Sequence, residues 1–362
     1  MKTTIKKENL LKAIQAVDGV VASKTAMPVL ANLLIQASGS SLKITATNLD
    51  LMVSCEVPAA VEKEGSVTVS EFRLSAASRE IIGDDVKIEV DENNVCCIKS
   101  GPSKYNLRGI ASSEFPLFQA IVNPKKVSVD QSAIKKVFSQ VMFAMSEEAS
   151  RYVLCGTMIE ADGKLIKAVA ADGRRLALNS VDGEISERVK IIIPSKAAMV
   201  ICRLLGDEGK AIAEFGDNSA KFTIGNVSVY TKLIEGAYPD INQIIPKSYS
   251  MKISVPREEF SGALRRVSIM TSEKWQSVKL VFTNNLLTIT SNSPEVGDAT
   301  ESMELKYKEK DFSIAFNPKY ITDALNALSD KDVSLEINDE ISPLVIKNEG
   351  PFLYIVSPMR LA

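Results

Sequence analysis

Two short clusters in the sequence hold residue types that could suggest metal or phosphate chemistry. One is Asp172-Gly173-Arg174-Arg175, a carboxylate, a flexible position and two guanidinium groups in a row; the other is the pair Asp84-Asp85. Neither stands in the company that such chemistry needs. The chain has no P-loop, no GxGxxG and no carboxylate cluster with the spacing of a two-metal site. It also contains no histidine. That removes Ser-His-Asp and Cys-His nucleophiles, histidine general bases and every histidine-containing zinc site. Asp172-Gly173 reads better as a turn between two strands.

The cysteines narrow the field further. Cys55, Cys96, Cys97, Cys155 and Cys202 are odd in number and form no C-x-x-C pair. Cys96 and Cys97 are adjacent in an expected strand, so their side chains should point to opposite faces. Such usage fits small apolar filler in a reducing compartment, not a disulfide frame or a metal cage. After Met1 the residues Leu10, Leu11, Ile14 and Val17 are interspersed with polar ones, so no secretory signal is expected. No run of 18 apolar residues occurs, and a cytoplasmic location without membrane contact is the expectation.

The elements that must position any site come from an internal repeat. The segment "KKENLLKAIQAVDGVV" followed by "ANLLIQASGSSLKITATNLDLMVSCEV" has the plan of "DQSAIKKVFSQVMFAMS" followed by "RYVLCGTMIEADGKLIKAVAADGRRLALNSV". It also has the plan of "PREEFSGALRRVSIM" followed by "SVKLVFTNNLLTITSNSPEVGDATESMEL". Each reads as an amphipathic helix, a strand, a tight turn (Gly39, Gly163, Asn284-Asn285) and two more strands. The corresponding turn positions Asn48, Asp172 and Asn292 lie 124 and 120 residues apart, a period of about a third of the 362 residues. Each unit has a second half of like plan, beginning "SVTVSEFRLSAASREIIG", "VKIIIPSKAAMVICRLLG" and "FSIAFNPKYITDALNALS". Ser70 and Asn317 suit helix N-caps, Pro194 and Pro318 a first helical turn, and Gly83 and Gly206 the position after a helix. The fold class is therefore α+β: three similar modules, 1–122, 128–247 and 251–362, each with two helices packed on antiparallel sheets. With 45% apolar and 24% charged residues the chain is long enough for two or three globular domains.

Charge is distributed unevenly over this plan. Overall, 43 basic residues face 45 acidic ones, and a net charge of −2 predicts neither a nucleic-acid coat nor a polybasic membrane binder. The six expected helices, 6–18, 73–80, 133–145, 196–205, 257–269 and 319–328, nevertheless hold thirteen basic residues against six acidic. That is +7 in 67 residues, leaving −9 on the other 295. If these helices share a surface, it is a positive track suited to the phosphate charge of a duplex. No Arg/Asn/Gln cluster reads base edges and no aromatic residues interleave for single strands. Non-specific, mobile, salt-sensitive contact with double-stranded DNA follows, with Lys24, Arg73, Arg79, Lys135, Lys136, Lys196, Arg203, Arg265 and Arg266 as the DNA-facing set. The competing readings are basic residues that only solvate helix faces, an enzyme built on the two clusters above, and a repeat scaffold that binds proteins alone.

The segments "MPVLANLLIQA", "TATNLDL", "RYVLCGTMIE", "AADGRRLAL", "EGAYPDINQIIP", "FNPKYITDALNAL" and "YIVSPMRL", in this order and spacing, resemble the β subunit of bacterial DNA polymerase III, the sliding-clamp family, over the whole chain. The resemblance implies a head-to-tail homodimeric ring of three-domain chains around duplex DNA, helices inside and sheets outside, with no catalytic activity and no cofactor. It places the seam on Lys104, Tyr105 and Arg108 facing Ile269 and Met270, with Glu301 and Glu304 as ion-pair partners for Lys104. It also implies a peptide pocket at Leu154, Ala171, Gly173, Arg174, Leu176, Pro239 and Ile244. Trp275, Asn317, Tyr320, Pro343, Ile355, Ser357, Pro358, Met359 and Arg360 complete that pocket. Its ligands would be segments with a glutamine and Leu/Phe anchors, carried by the polymerase catalytic subunit, the clamp loader, other polymerases and repair proteins. The apolar end "YIVSPMRLA" fits a terminus that packs into something. Arg174 stands where many relatives have histidine, Ser357 where methionine is frequent, and Ala362 follows the usual last leucine, so the pocket should be smaller and more polar.

Overall fold

The computed structural model describes residues 1–21, 25–183, 187–272 and 276–359. The first repeat runs β1 (Lys2–Lys6), α1 (Lys7–Val17), β2 (Asn32–Ser38), β3 (Ser41–Thr47) and β4 (Leu51–Pro58). After a short β5 (Ala60–Lys63) come β6 (Gly65–Ser70), α2 (Glu71–Glu80), β7 (Asp85–Val90), β8 (Val95–Ser100) and β9 (Ser103–Arg108). The second repeat is β10 (Lys125–Asp130), α3 (Gln131–Val141), β11 (Gly156–Asp162), β12 (Leu165–Ala171) and β13 (Arg175–Asp182). It continues with β14 (Val189–Pro194), α4 (Ser195–Leu204), β15 (Lys210–Phe215), β16 (Ser219–Ile224) and β17 (Val227–Lys232). The third is β18 (Met251–Pro256), α5 (Arg257–Ser268), β19 (Val278–Thr283), β20 (Leu286–Ser293) and β21 (Gly297–Glu304). Its second half is β22 (Phe312–Phe316), α6 (Pro318–Asn326), β23 (Asp332–Ile337), β24 (Leu344–Lys347) and β25 (Leu353–Val356). The plan strand, helix, three strands, strand, helix, three strands occurs three times.

Local chemistry accounts for most of these boundaries. The β2–β3, β11–β12 and β19–β20 turns use Gly39, Gly163 and Asn285 at φ of 57°, 62° and 57°, the left-handed backbone that two-residue hairpin loops require. Ser70 accepts from the Arg73 N–H and Asn317 from the Lys319 N–H, so both are N-caps as expected. Three expectations need correction. Pro194 ends β14 instead of opening α4. Gly83 and Gly206 do not take the left-handed conformation; a Cβ on Gly83 would fall 2.5 Å from Ser100 Oγ, so close packing, not a helix cap, explains that glycine. Asn292 pairs with Asp298 inside β20, and the turn follows it. α3 also stops at Val141, four residues short, and passes into a 3-10 turn at Met142–Ala144.

The chain divides into two compact units, Met1–Ser132 with Arg203–Leu233, and Ala133–Cys202 with Ile234–Ala362. In the first, β5-β1-β7-β8-β9 form a five-stranded sheet, and β10-β15-β16-β17-β4-β3-β2-β6 an eight-stranded one. In the second, β14-β11-β12-β13-β25-β24-β23-β18 form an eight-stranded sheet and β21-β20-β19-β22 a four-stranded one. Each eight-stranded sheet is thus two four-stranded halves from different repeats, zipped antiparallel by β17 on β4 or by β13 on β25. The joins are dry, with Val229 opposite Val53 and Leu176 opposite Ile355, all four buried. β9 and β21 occupy the equivalent positions of the remaining half-sheets and, among the described residues, have no partner strand on their outer sides.

The helices cover the sheets with apolar faces. α1 turns Leu10, Ala13, Ile14 and Val17 inward against β3 and β4. α5 packs on α6 and on β20 and β21; α5 buries Phe260, Ala263, Leu264 and Val267, and α6 buries Ile321, Ala324 and Leu325. No helix among the described residues is long and apolar enough to cross a membrane.

Candidate functional site

The described residues of the expected pocket all belong to the second unit. Leu154, at the end of a 3-10 turn (Ala149–Leu154), Ala171 of β12, Leu176 of β13 and Ile355 of β25 fall into one buried apolar cluster. Met158, Val169, Ile192, Tyr238, Ile241 and Val345 complete its floor. The alternation of β12, β13 and β25 puts these side chains on one face, and zipping β13 to β25 brings them together. At the level of the surface, Gly173, Arg174, Pro239, Ile244, Ser357 and Met359 are exposed, and Pro343 and Pro358 half-buried. Ile244 at 44% and Met359 at 39% exposure are apolar groups left without full cover. Trp275 and Arg360 lie outside the described residues, as do Leu361 and Ala362.

The turn between β12 and β13 is tightly specified. Asp172 Oδ1 accepts the backbone N–H groups of Arg174 (2.8 Å) and Arg175 (3.0 Å), an Asx turn with Gly173 at φ 90°. Asn48 does the same for Asp50 and Leu51 in the first repeat. Arg151 donates to the Asp172 carbonyl at 2.7 Å, and its guanidinium occupies the space a Cβ on Gly173 would need. Ser357 N–H donates to the Arg174 carbonyl, so the chain's last described segment is moored to this turn. Met359 N–H donates to Ala315 O, fixing the same segment beside β22.

Beside the turn lies a residue that sequence reasoning did not assign to the pocket. The Arg175 side chain, 7% exposed, donates to Asp172 Oδ2 (3.0 Å), Asp323 Oδ2 of α6 (2.6 Å) and the Phe143 carbonyl (2.7 Å). Its guanidinium stacks 4.5 Å from the Tyr320 ring centroid. Tyr354 donates to the Tyr320 carbonyl at 2.9 Å, and burial pushes its phenol pKa upward. Arg174 stands beside the Tyr320 hydroxyl, which favours its charged form. Arg175 therefore ties the turn, α6 and the segment after α3 into one support for Tyr320. The Asp-Gly-Arg-Arg motif carried the signal, but Asp323 is 148 residues away and no spacing announces it. Asn317 caps α6 and also donates one amide N–H to Gln276.

The basic residues sort into two kinds. The six helices hold twelve basic and six acidic side chains within their observed limits. Arg73, Arg79, Lys136, Lys196, Arg203, Arg265 and Arg266 are exposed and Lys135 is half-buried; Lys24 lies outside the described residues. Arg203 donates to the carbonyls of Gln15 (3.1 Å), Ala16 (3.3 Å) and Asp18 (2.9 Å), closing the C-terminus of α1. Arg266 is held at both ends by Glu301, at 2.7 and 3.0 Å, which also lowers the Glu301 carboxyl pKa. Glu301 thus has an ion-pair partner within its own chain other than the expected Lys104. The two sequence clusters that first drew attention have structural partners: Asp85 pairs with Lys6 at 2.8 Å, and the Asp84 carbonyl accepts from Lys7 N–H. No group of three metal-ligating side chains occurs among the described residues.

At the seam positions, β9 exposes Lys104, Asn106 and Arg108 on one side and half-buries Tyr105 and Leu107 on the other. β21 exposes Asp298 and Glu304, and Ile269 beyond α5 is 70% exposed. One open edge is basic and the other acidic.

Comparison with known proteins agrees along the full length. Residues 1–119, 128–240 and 242–360 match the N-terminal, central and C-terminal domains of the DNA polymerase III beta subunit. A beta sliding clamp of Chlamydia muridarum is 32% identical, over 100% of this chain and 99% of its own. The crystal structure of the DNA polymerase III subunit beta from Pseudomonas aeruginosa superposes with a TM-score of 0.95 at 30% identity, covering 100% of both chains. The sliding clamp from the same organism bound to griselimycin gives 0.95 at 29%, again over 100% of both. The chain belongs to the bacterial DNA polymerase III beta-subunit family, the beta sliding clamps, and has their three-domain fold.

Proposed function

We propose that two copies of this chain close head-to-tail into a ring around duplex DNA, and that the ring acts as a processivity factor with no catalysis of its own. One observation carries the reading: two of the three junctions between half-sheets are zipped within the chain, while β9 and β21 are left open at the equivalent places. β9 of one copy laid on β21 of the other would repeat the same half-sheet join twice, giving nine-stranded sheets because β5 adds a strand at the far edge, with Lys104 and Arg108 meeting Asp298 and Glu304, and Tyr105 and Ile269 beside Met270 at the seam. The three repeats, 1–122, 128–247 and 251–362, are the clamp domains of this reading.

The basic helices then supply weak contacts to phosphate, and linkage supplies the grip. Low affinity at each phosphate leaves the ring free to slide, because no step must break many ion pairs at once. The cluster around Leu154, Leu176 and Ile355, with Tyr320 at its side, is the dock for peptides with a glutamine and Leu/Phe anchors, which offer the apolar groups such a floor can bury. The carriers would be the polymerase catalytic subunit, the clamp loader, other polymerases and repair proteins, all in the cytoplasm.

Retention on a nicked circular plasmid, compared with the same DNA linearised, tests the ring. The protein should persist on the circle at raised salt and leave the linear form within the time of a gel-filtration run. Equal loss from both forms would discard the ring in favour of an open groove or a protein-only scaffold.

A further inference from the structure

A recess of about 490 Å³ opens between the second half of α5 and the start of α6. Arg265, Ser268, Gln276, Asn317, Lys319 and Thr322 line it, with Asp323 at its base. Its hydrogen-bonding is lopsided. The hydroxyls are already committed: Ser268 donates to Leu264 O and Thr322 to Pro318 O. Asn317 Oδ1 accepts the Lys319 N–H, so the side chain has already capped α6. The Gln276 amide oxygen accepts from Asn317 at 3.1 Å, which turns its NH2 group into an available donor. Arg265 is exposed and has no hydrogen-bond or ion-pair partner among the described residues. Asp323, the one carboxylate among the described residues of the recess, is neutralised twice, by Arg175 at 2.6 Å and by Lys319 at 3.1 Å.

Among the described residues, what remains is a concave surface with net positive charge and unused N–H donors, without a free acceptor carboxylate. A group with several anionic oxygens matches it. We propose that this recess seats a phosphate of the duplex backbone, held by the Arg265 fork and the Gln276 amide, with Lys319 as a supporting charge. The inference rests on the clamp reading and deepens it: among the basic residues of the helices, one set forms a built contact while the rest contribute only a field. The rim agrees with this. Arg266, the neighbour of Arg265, is tied back to Glu301 and leaves the recess to Arg265. Tyr320, which serves the peptide dock, does not line the recess and stacks on Arg175, whereas Asn317 lines the recess and belongs to the expected dock as well.

The neutral residue makes the test sharp. Affinity for a short labelled linear duplex is measured by fluorescence anisotropy at several salt concentrations for the full-length protein and its variants. Arg265→Ala should reduce the slope of log affinity against log salt by about 0.9, one phosphate's worth. Gln276→Ala should weaken binding roughly tenfold, as loss of a hydrogen bond to a charged group does, while leaving the slope unchanged. Substituting inorganic phosphate for chloride at equal ionic strength should weaken duplex binding by wild type more than by Arg265→Ala. If Gln276→Ala binds duplex as wild type does, the recess is only part of a diffuse field and the proposal falls. It falls equally if phosphate competes but duplex affinity ignores both variants, or if the variants instead weaken a Gln/Leu/Phe peptide. Wild-type retention on the nicked circle is read separately, so failure of the recess and failure of the ring give different results.

Discussion

Arg175 joins three segments that are far apart in the sequence, and its burial makes each partner dependent on it. Replacing it with methionine would leave Asp172 and Asp323 facing each other without a shared cation. Stability of the second unit should fall by about 3 kcal/mol, read from urea unfolding, and peptide affinity should fall with it as Tyr320 loses its support. An unchanged urea midpoint would mean the network is ornamental. The cysteines give a second residue-level expectation. Burial pushes the Cys96 thiol up to about 12 and Cys55 up to about 11, so neither is a thiolate at pH 8. Ellman's reagent should leave both unreacted in the native protein and titrate them after denaturation; the five thiols are all free. The sequence revealed these residue types and their inertness, but it revealed Arg175 only as part of a turn. A guanidinium's partners depend on tertiary neighbours that no local spacing encodes.

At the level of elements, the repeat, the hairpin turns and two of the helix caps were legible, because φ-positive glycines, Asx turns and period-two alternation are local signals. The zips were not. β17 meets β4 and β13 meets β25 across more than 170 residues of chain, and a strand's preferred neighbour leaves no mark on its own pattern. β10 offers a test at this scale. It lies at the edge of its sheet beside β15, where Lys126 bonds Glu214 at 3.0 Å and Lys221 lies 3.2 Å from the same carboxylate. These partners, Lys126 foremost, hold the Glu214 carboxyl below its ordinary 4.5. A lowered folded-state value means the contribution is present above pH 4.5 and disappears as pH falls through that lower value. Glu214→Gln should therefore be less stable than wild type at pH 7 and converge with it toward pH 3, as followed by thermal unfolding of the first unit.

For the whole molecule, the proposed assembly would depend on two open strands of opposite charge. Lys104→Glu with Arg108→Glu should weaken self-association at least tenfold by analytical ultracentrifugation, since like charges would then face each other across the seam. Adding Glu304→Lys to that pair should recover part of the loss. Glu301 is the poorer choice for the exchange because Arg266 already holds it. If the double reversal sediments as wild type does, the seam lies elsewhere. The charge asymmetry of the helices was readable from residue types alone; which cations are tied inward, as Arg203 and Arg266 are, required coordinates.

The difference between the sheet joins has a mechanical outcome. At β17–β4 and β13–β25 a single polypeptide runs on both sides and fully buried side chains interlock, so parting them means unfolding a core. β9 half-buries Tyr105 and Leu107 and leaves every second residue to solvent. In the assembled circlet, these would be the only two latches that release without melting anything. Opening the proposed ring would then require parting just one of them, and DNA would enter at that seam.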